Sequence, residues 1–241
     1  MHGIGDDRIL VIIPAYNEEE SILKVVEDLE RNASYADYIV LNDGSTDETR
    51  AVLEERGIPH IDLIRNLGIG GAVQTGYKYA LEQGYDIAVQ FDGDGQHCAE
   101  YISSLIAPIQ EGEADLVIGS RFKGDTGGFK SSAMRRLGIT ILSNVLKMAS
   151  TNKIEDVTSG FRAAGKRAIE FFATYYPDDY PEPESLALVA RKGMKLAEVP
   201  VSMRERLGGE SSIKRMDSVY YMIKVTFAIL IQTNIYERHS S

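Results

Sequence analysis

Short apolar runs alternate with amphipathic segments over the first 120 residues. "ILVIIP" (9–14) carries no charge and predicts a strand buried on both faces. "EEESILKVVEDLERNA" (18–33) brings apolar residues back every three or four positions and predicts a helix. The alternation continues with strand 38–43, helix 47–57 closed by Gly57, strand 60–65 and helix 71–84 ending at Gly84. Strand 86–91, helix 99–112 with a defect at Pro108, and strand 114–120 follow. Strands alternating with helices predict βαβ units, hence an α/β fold with a mostly parallel sheet flanked by helices. In such sheets ligands gather at the carboxyl ends of the strands. Five predicted strand ends carry polar residues: Asn17 with Glu18, Asn42 with Asp43, Asn66, Asp92 with Asp94, and Ser120 with Arg121. Their common register predicts a polar crevice.

Composition narrows the picture. Hydrophobic residues make up 44% of 241, enough for a substantial core. The single cysteine, Cys98, excludes an internal disulfide and a cysteine-based zinc site, and suits a reducing compartment. Residues 1–8 lack the apolar segment of a signal peptide. No uncharged apolar run reaches the roughly 18 residues of an ordinary transmembrane helix. A net charge of −10 argues against nucleic acid as a partner. The charge is uneven, however. Residues 121–153 hold seven basic side chains against Asp125 alone, a net of +6.

The stretch "DIAVQFDGDGQH" (86–97) carries the clearest chemistry. Asp92 and Asp94 stand one residue apart after a strand. Two adjacent carboxylates stay ionised together only around a cation or a shared proton. Glycines 93 and 95 allow the tight turn that brings both side chains to one point. Hard divalent ions, Mg²⁺ or Mn²⁺, take such oxygen ligands. An ordinary Asp-Gly turn is the alternative reading of the tripeptide. An EF-hand fails, because His97 and Ser103 occupy the places that require Gly and Glu. "GIGGAVQTG" (68–76) matches neither the dinucleotide fingerprint nor a P-loop. "NDGS" (42–45) reads as an Asx-type turn, with Ser45 or Thr46 capping the next helix.

With "IPAYNEEESI", "VLNDGSTDET", "RNLGIGGAVQTGY", "VQFDGDGQH", "GSR" and "DVTSGFRA" in this order, the chain resembles family 2 glycosyltransferases. The likeness runs over about residues 8–213 and is greatest to the polyprenyl-phosphate branch, that of the dolichol-phosphate mannose synthases. It implies the GT-A, Rossmann-like fold and a nucleotide-sugar lying across the strand ends. By this resemblance Pro14, Ala15, Tyr16 and Glu18 line the base and ribose, and Asp43 reads the base edge. Asp92, Asp94 and Gln96 hold Mg²⁺ or Mn²⁺ and, through it, the diphosphate. Arg121 and Arg206 match arginines near the phosphates. Asp156 matches the residue given the base role, with Glu184 a second catalytic candidate at a helix start. Arg162 contacts the acceptor phosphate or braces its loop. Asn42 stands where the family more often has Asp, and Ser212 where it has Lys.

The resemblance implies inverting transfer to a polyprenyl phosphate, undecaprenyl or dolichyl. A glycan or soluble acceptor, and an inactive nucleotide-sugar-binding module, are the alternatives. Residues 134–148 place Met134, Leu137, Ile141, Leu142, Val145 and Met148 on one helical face beside Arg135, Arg136 and Lys147. This reads either as a core helix or as a helix drawn to anionic lipid, with Arg135 and Arg136 on the acceptor side. Residues 1–213 form the expected catalytic domain, and 214–241 an amphipathic helix for a membrane surface or partner. The expected location is cytoplasmic and peripheral at the membrane. A small membrane protein or a homo-oligomer completes the attachment.

Overall fold

The computed structural model of the chain describes residues 7–122, 154–178 and 181–204. Seven strands form one sheet in the order β3-β2-β1-β4-β6-β5-β7. They are β1 (Ile9–Ala15), β2 (Asp37–Asn42), β3 (His60–Asp62), β4 (Ile87–Gln90), β5 (Leu116–Ser120), β6 (Arg162–Gly165) and β7 (Leu196–Pro200). The helices are α1 (Ile22–Asn32), α2 (Thr49–Arg56), α3 (Gly68–Glu82), α4 (Ile102–Gln110), α5 (Lys166–Thr174) and α6 (Pro181–Arg191). The sheet is mostly parallel, as the alternation predicts. Among the described strands only β6 runs against its neighbours, antiparallel to both β4 and β5.

All seven residues of β1 are buried, because side chains from alternate positions enter two separate cores. Val11 and Ile13 pack in one core with Val25 and Leu29 of α1 and Ile102 of α4. Leu10 and Ile12 pack in the other with Tyr77 of α3, Phe172 of α5 and Leu186 of α6. Helices therefore cover both faces, and the strand ends are left as the open edge.

Several boundaries differ from the sequence reading. Helix α1 starts at Ile22 rather than 18, because the Glu18 carbonyl is used in a turn that takes the Ser21 and Ile22 N–H groups. Asn17, at φ 57°, sets that turn. Helix α3 starts earlier than expected, at Gly68, where Asn66 Oδ1 accepts the Gly68 N–H at 2.9 Å. Strand β3 stops at Asp62, which leaves Asn66 in the loop before α3. Pro108 lies inside α4. Ser45 and Thr46 do not cap α2, which starts at Thr49 with Asp47 Oδ1 accepting its N–H at 3.0 Å. The expected Asx turn is present, with Asn42 Oδ1 accepting the Ser45 N–H at 3.3 Å.

The expected helix at 134–148, the expected helix at 214–241, Arg135, Arg136, Arg206 and the boundary at 213 lie outside the described residues. Among the described residues no helix is long and apolar enough to cross a membrane.

Candidate active site

The crevice begins where β1 and β2 end together. The Ala15 carbonyl accepts the Asp43 N–H at 2.8 Å, which holds the two strand ends in register. Asp43 is buried, and its Oδ1 accepts the Leu67 N–H at 2.7 Å. Burial pushes its carboxyl above the usual range, while the Leu67 and Gly68 N–H groups pull it back. Tyr16 is 47% exposed and leaves its ring open to a ligand. Glu18 turns inward. Its carboxylate accepts Ser21 Oγ–H at 2.6 Å, and the same hydroxyl lies 2.8 Å from the Gly93 carbonyl. Glu18 thus ties the turn after β1 to the acidic loop after β4.

That loop continues alongside β1 beyond β4. The Phe91 N–H donates to the Ile12 carbonyl at 2.9 Å and the Gly93 N–H to the Pro14 carbonyl at 3.2 Å. The chain then turns at Gly95, whose φ of 77° suits a residue without Cβ. Asp94 Oδ1 accepts the Gln96 N–H at 3.0 Å. The Asp92 side chain is 33% exposed and faces the crevice mouth. His97 is buried below it. Its Nδ1 accepts the Asp92 N–H at 3.0 Å, which leaves the ring proton on Nε2, 3.6 Å from Asp92 Oδ2. Burial holds this imidazole below its usual range, against the pull of Asp92 and Asp94. The ring stacks on Phe161 at 4.7 Å. His97 therefore braces the loop from beneath.

The other half of the crevice centres on Arg121, just past β5. Its Nε donates to Asp156 Oδ2 at 2.7 Å and its Nη2 to Asp156 Oδ1 at 2.7 Å. The Arg121 main-chain N–H adds a third bond to Asp156 at 3.0 Å, and Nη2 also reaches Thr158 Oγ1 at 2.9 Å. Asp156 is fully buried. Its own N–H donates to Glu198 Oε1 at 2.6 Å. Glu198 sits in β7 with its carboxyl raised by burial, against the pull of the Glu155 and Asp156 N–H groups.

Arg162 is 1% exposed. It donates to the main-chain carbonyls of Ser159 (2.7 Å), Glu182 (2.7 Å) and Val157 (3.2 Å), and to Ser185 Oγ (2.8 Å). It ties the 157–159 loop to the start of α6. Glu184 is buried on α6.

Residues 156–160 reach both halves. Asp156 and Thr158 hold Arg121, while Gly160 lies against Asp92. A Cβ built on Gly160 would stand 3.0 Å from Asp92 Oδ2 and 3.1 Å from Gln90 Nε2, so a larger residue there would press on both side chains.

The signature of "Glycosyl transferase family 2" matches residues 10–171, more than half of the chain. The chain belongs to glycosyl transferase family 2. This family 2 glycosyltransferase is 32% identical over 247 residues to a UDP-N-acetylglucosamine–dolichyl-phosphate N-acetylglucosaminyltransferase of Methanococcus voltae. The match covers 95% of this chain and 97% of that one. It is 30% identical to a polyprenol monophosphomannose synthase of Mycolicibacterium smegmatis (92% and 90% covered). It is 31% identical to an undecaprenyl-phosphate mannosyltransferase of Micrococcus luteus (86% and 87% covered). Among solved structures, glucosyl-3-phosphoglycerate synthase of Mycobacterium tuberculosis superposes with a TM-score of 0.68. There the identity is 22%, with 94% of this chain and 78% of that chain covered. That crystal structure contains Mn²⁺, UDP and phosphoglyceric acid.

The family 2 chain has a donor set that fits a hard divalent ion. Asp92 and Asp94 carry carboxylate oxygens two residues apart beside the turn at Gly95, the hard donors such an ion takes. A different acidic cluster, Glu54, His60 and Asp62, lies beside the outer strand β3. Arg50 already bonds there, 2.8 Å from Glu54 and 3.2 Å from Asp62, and supplies the positive charge. Glu198 is a site residue that pattern reading passed over. An acid inside the apolar run of β7 was the available signal.

Proposed function

We propose that this family 2 glycosyltransferase moves a sugar, with inversion, from a nucleotide-sugar to a polyprenyl phosphate. The observation that carries the reading is the 156–160 loop, which joins the aspartate loop to Arg121 in one crevice. The named activities of the relatives supply the acceptor class. A UDP donor is the first choice, after the Methanococcus voltae relative.

In this reading Asp43 accepts N–H groups of the base, and Tyr16, Pro14, Ala15 and Glu18 frame the base and ribose. Asp92, Asp94 and Gln96 hold Mg²⁺ or Mn²⁺. When bound, that ion supplies a Lewis acid that offsets charge on the leaving diphosphate. Arg121, and Arg206 beyond the described residues, bring positive charge to the phosphates.

The acceptor needs little help from a base. A phosphate monoester has a second pKa near about 6 and attacks as an anion. In the proposed mechanism Asp156 fixes Arg121 where the acceptor phosphate meets the donor diphosphate, and so serves the acceptor's attack; its oxygens already receive that fork. Arg162 braces the same loop, and Glu184 stands next in line as an acid at the acceptor side.

On this reading residues 1–213 are the catalytic domain, and the stretch 214–241, outside the described residues, attaches to the cytoplasmic membrane face. Arg135 and Arg136 face anionic lipid, and a small membrane protein or a second copy secures the contact. The test is incubation of the purified protein with Mn²⁺, undecaprenyl phosphate and a panel of nucleotide-sugars. A lipid-linked monosaccharide is expected from one donor. Absence of lipid product from every donor overturns the acceptor assignment.

A further inference from the structure

Asp28 lies on the inward face of α1, 7% exposed, between the core residues Val25 and Leu29. A carboxylate in such a place is costly unless its lone pairs are used. Here they are. Its Oδ2 accepts the Ala99 N–H at 3.0 Å and Arg204 Nη1–H at 3.2 Å. Its Oδ1 accepts Asn32 Nδ2–H at 2.8 Å and Arg204 Nη2–H at 3.4 Å. Burial alone would raise this carboxyl, but the bonds from Ala99, Asn32 and Arg204 hold it below its usual range. Arg204 also uses its main chain, donating N–H to the Gln96 carbonyl at 2.8 Å.

The two residues therefore grip one short stretch at two points. Gln96 is held by Arg204, and Ala99 by Asp28. That stretch is the downstream end of the loop that carries Asp92 and Asp94. Its upstream end is fixed by β4 and by the bond from Gly93 to Pro14. Downstream, His97 packs beneath the loop, and Arg204 and Asp28 hold the main chain on either side of it, at Gln96 and Ala99. An ion pair with one half-exposed partner contributes little to stability, so a pair spanning 176 residues calls for another reason.

We propose that Asp28 and Arg204 form a clasp that positions the aspartate loop for the metal–nucleotide, as positioning residues that touch neither. The proposal rests on the reading of Asp92, Asp94 and Gln96 as the metal loop. Removing the clasp should relax residues 96–99 and weaken donor binding, while the sheet stays intact.

The experiment uses the full chain with Arg204→Gln, Arg204→Lys and Asp28→Asn. Thermal unfolding establishes that each variant is folded. Arg204 is 48% exposed in its side chain, so its replacement is the safer variant if Asp28→Asn does not fold. Hydrogen–deuterium exchange is read on peptides spanning 92–101, with β1 and β2 as internal references. Binding of UDP with Mn²⁺ is read by calorimetry. Arg204→Gln is expected to speed exchange at 96–99, with β1 and β2 unchanged, and to weaken UDP–Mn²⁺ binding about tenfold. Arg204→Lys, which keeps charge but loses the fork, should fall between. Unchanged exchange at 92–101 overturns the clasp. Faster exchange with unchanged UDP–Mn²⁺ affinity leaves it a structural tie and overturns the positioning role. A wild-type protein that does not bind UDP–Mn²⁺ overturns the UDP-donor reading instead. Exchange and binding of Mn²⁺ alone then decide the clasp.

Discussion

Arg121 and Asp156, separated by 35 residues in sequence, meet through two parallel bonds of 2.7 Å from guanidinium to carboxylate. Both groups are removed from water: the arginine side chain is 9% exposed and the aspartate 0%. Removing one charge from such a pair strands the other.

The first prediction follows from that pair. Asp156→Asn should lower stability by about 3–5 kcal/mol, the cost of leaving a buried arginine without its counter-charge. Turnover should fall more than donor affinity, because the change acts on the acceptor half. Thermal unfolding and a calorimetric titration with nucleotide separate the two effects. Collapse of nucleotide binding with normal turnover of bound donor would move Asp156 to the donor site, and Glu184 would be tested next.

Gly160→Ala should damage the donor half without unfolding the protein. The added methyl would press on Asp92 Oδ2 from 3.0 Å and on the Gln90 amide from 3.1 Å, so the carboxylate must shift by a few tenths of an ångström. Metal-dependent nucleotide affinity should drop about tenfold, as for other perturbed metal surroundings. Equal affinity in wild type and variant would mean that the loop yields without moving the carboxylate.

Asp94→Asn should abolish transfer and leave the fold intact. An amide is a weaker, uncharged ligand for a hard divalent ion. Wild-type activity should likewise vanish in excess EDTA and return with Mn²⁺. Full activity of either sample excludes the metal assignment.

The protein should sediment with liposomes rich in anionic lipid more than with neutral ones, and less at high salt. Each basic residue near the surface contributes about 1 kcal/mol of attraction. Arg135→Glu/Arg136→Glu should weaken that binding. Equal sedimentation with both liposome types, unaffected by the double change, removes the basic segment from the mechanism.

Much of this arrangement was legible before the coordinates. The continuous apolar runs of β1 and β4 could only be buried strands, and the aspartates after β4 could only lie at a strand end. What escaped was of two kinds. Strand β6 is "RAAG", four residues with no β-branched or aromatic side chain, so no periodic signal marks it. The ion pairs were invisible for another reason. Arg204 has acids close by in the sequence, Glu205 and Glu210, and in space it meets Asp28. Local pattern reports which face of an element is inward. It does not report which distant charge waits there.

The reversed direction of β6 sets how the chain can change. Because β6 runs against β5, residues 121 to 161 leave the crevice rim and come back to the same rim. The excursion is buttoned at its neck by Arg121 and Asp156. Both ends of the basic stretch from Lys123 to Lys153 are thereby pinned side by side at one rim. A change in the length of that stretch would leave the order and spacing of the seven described strands as they are.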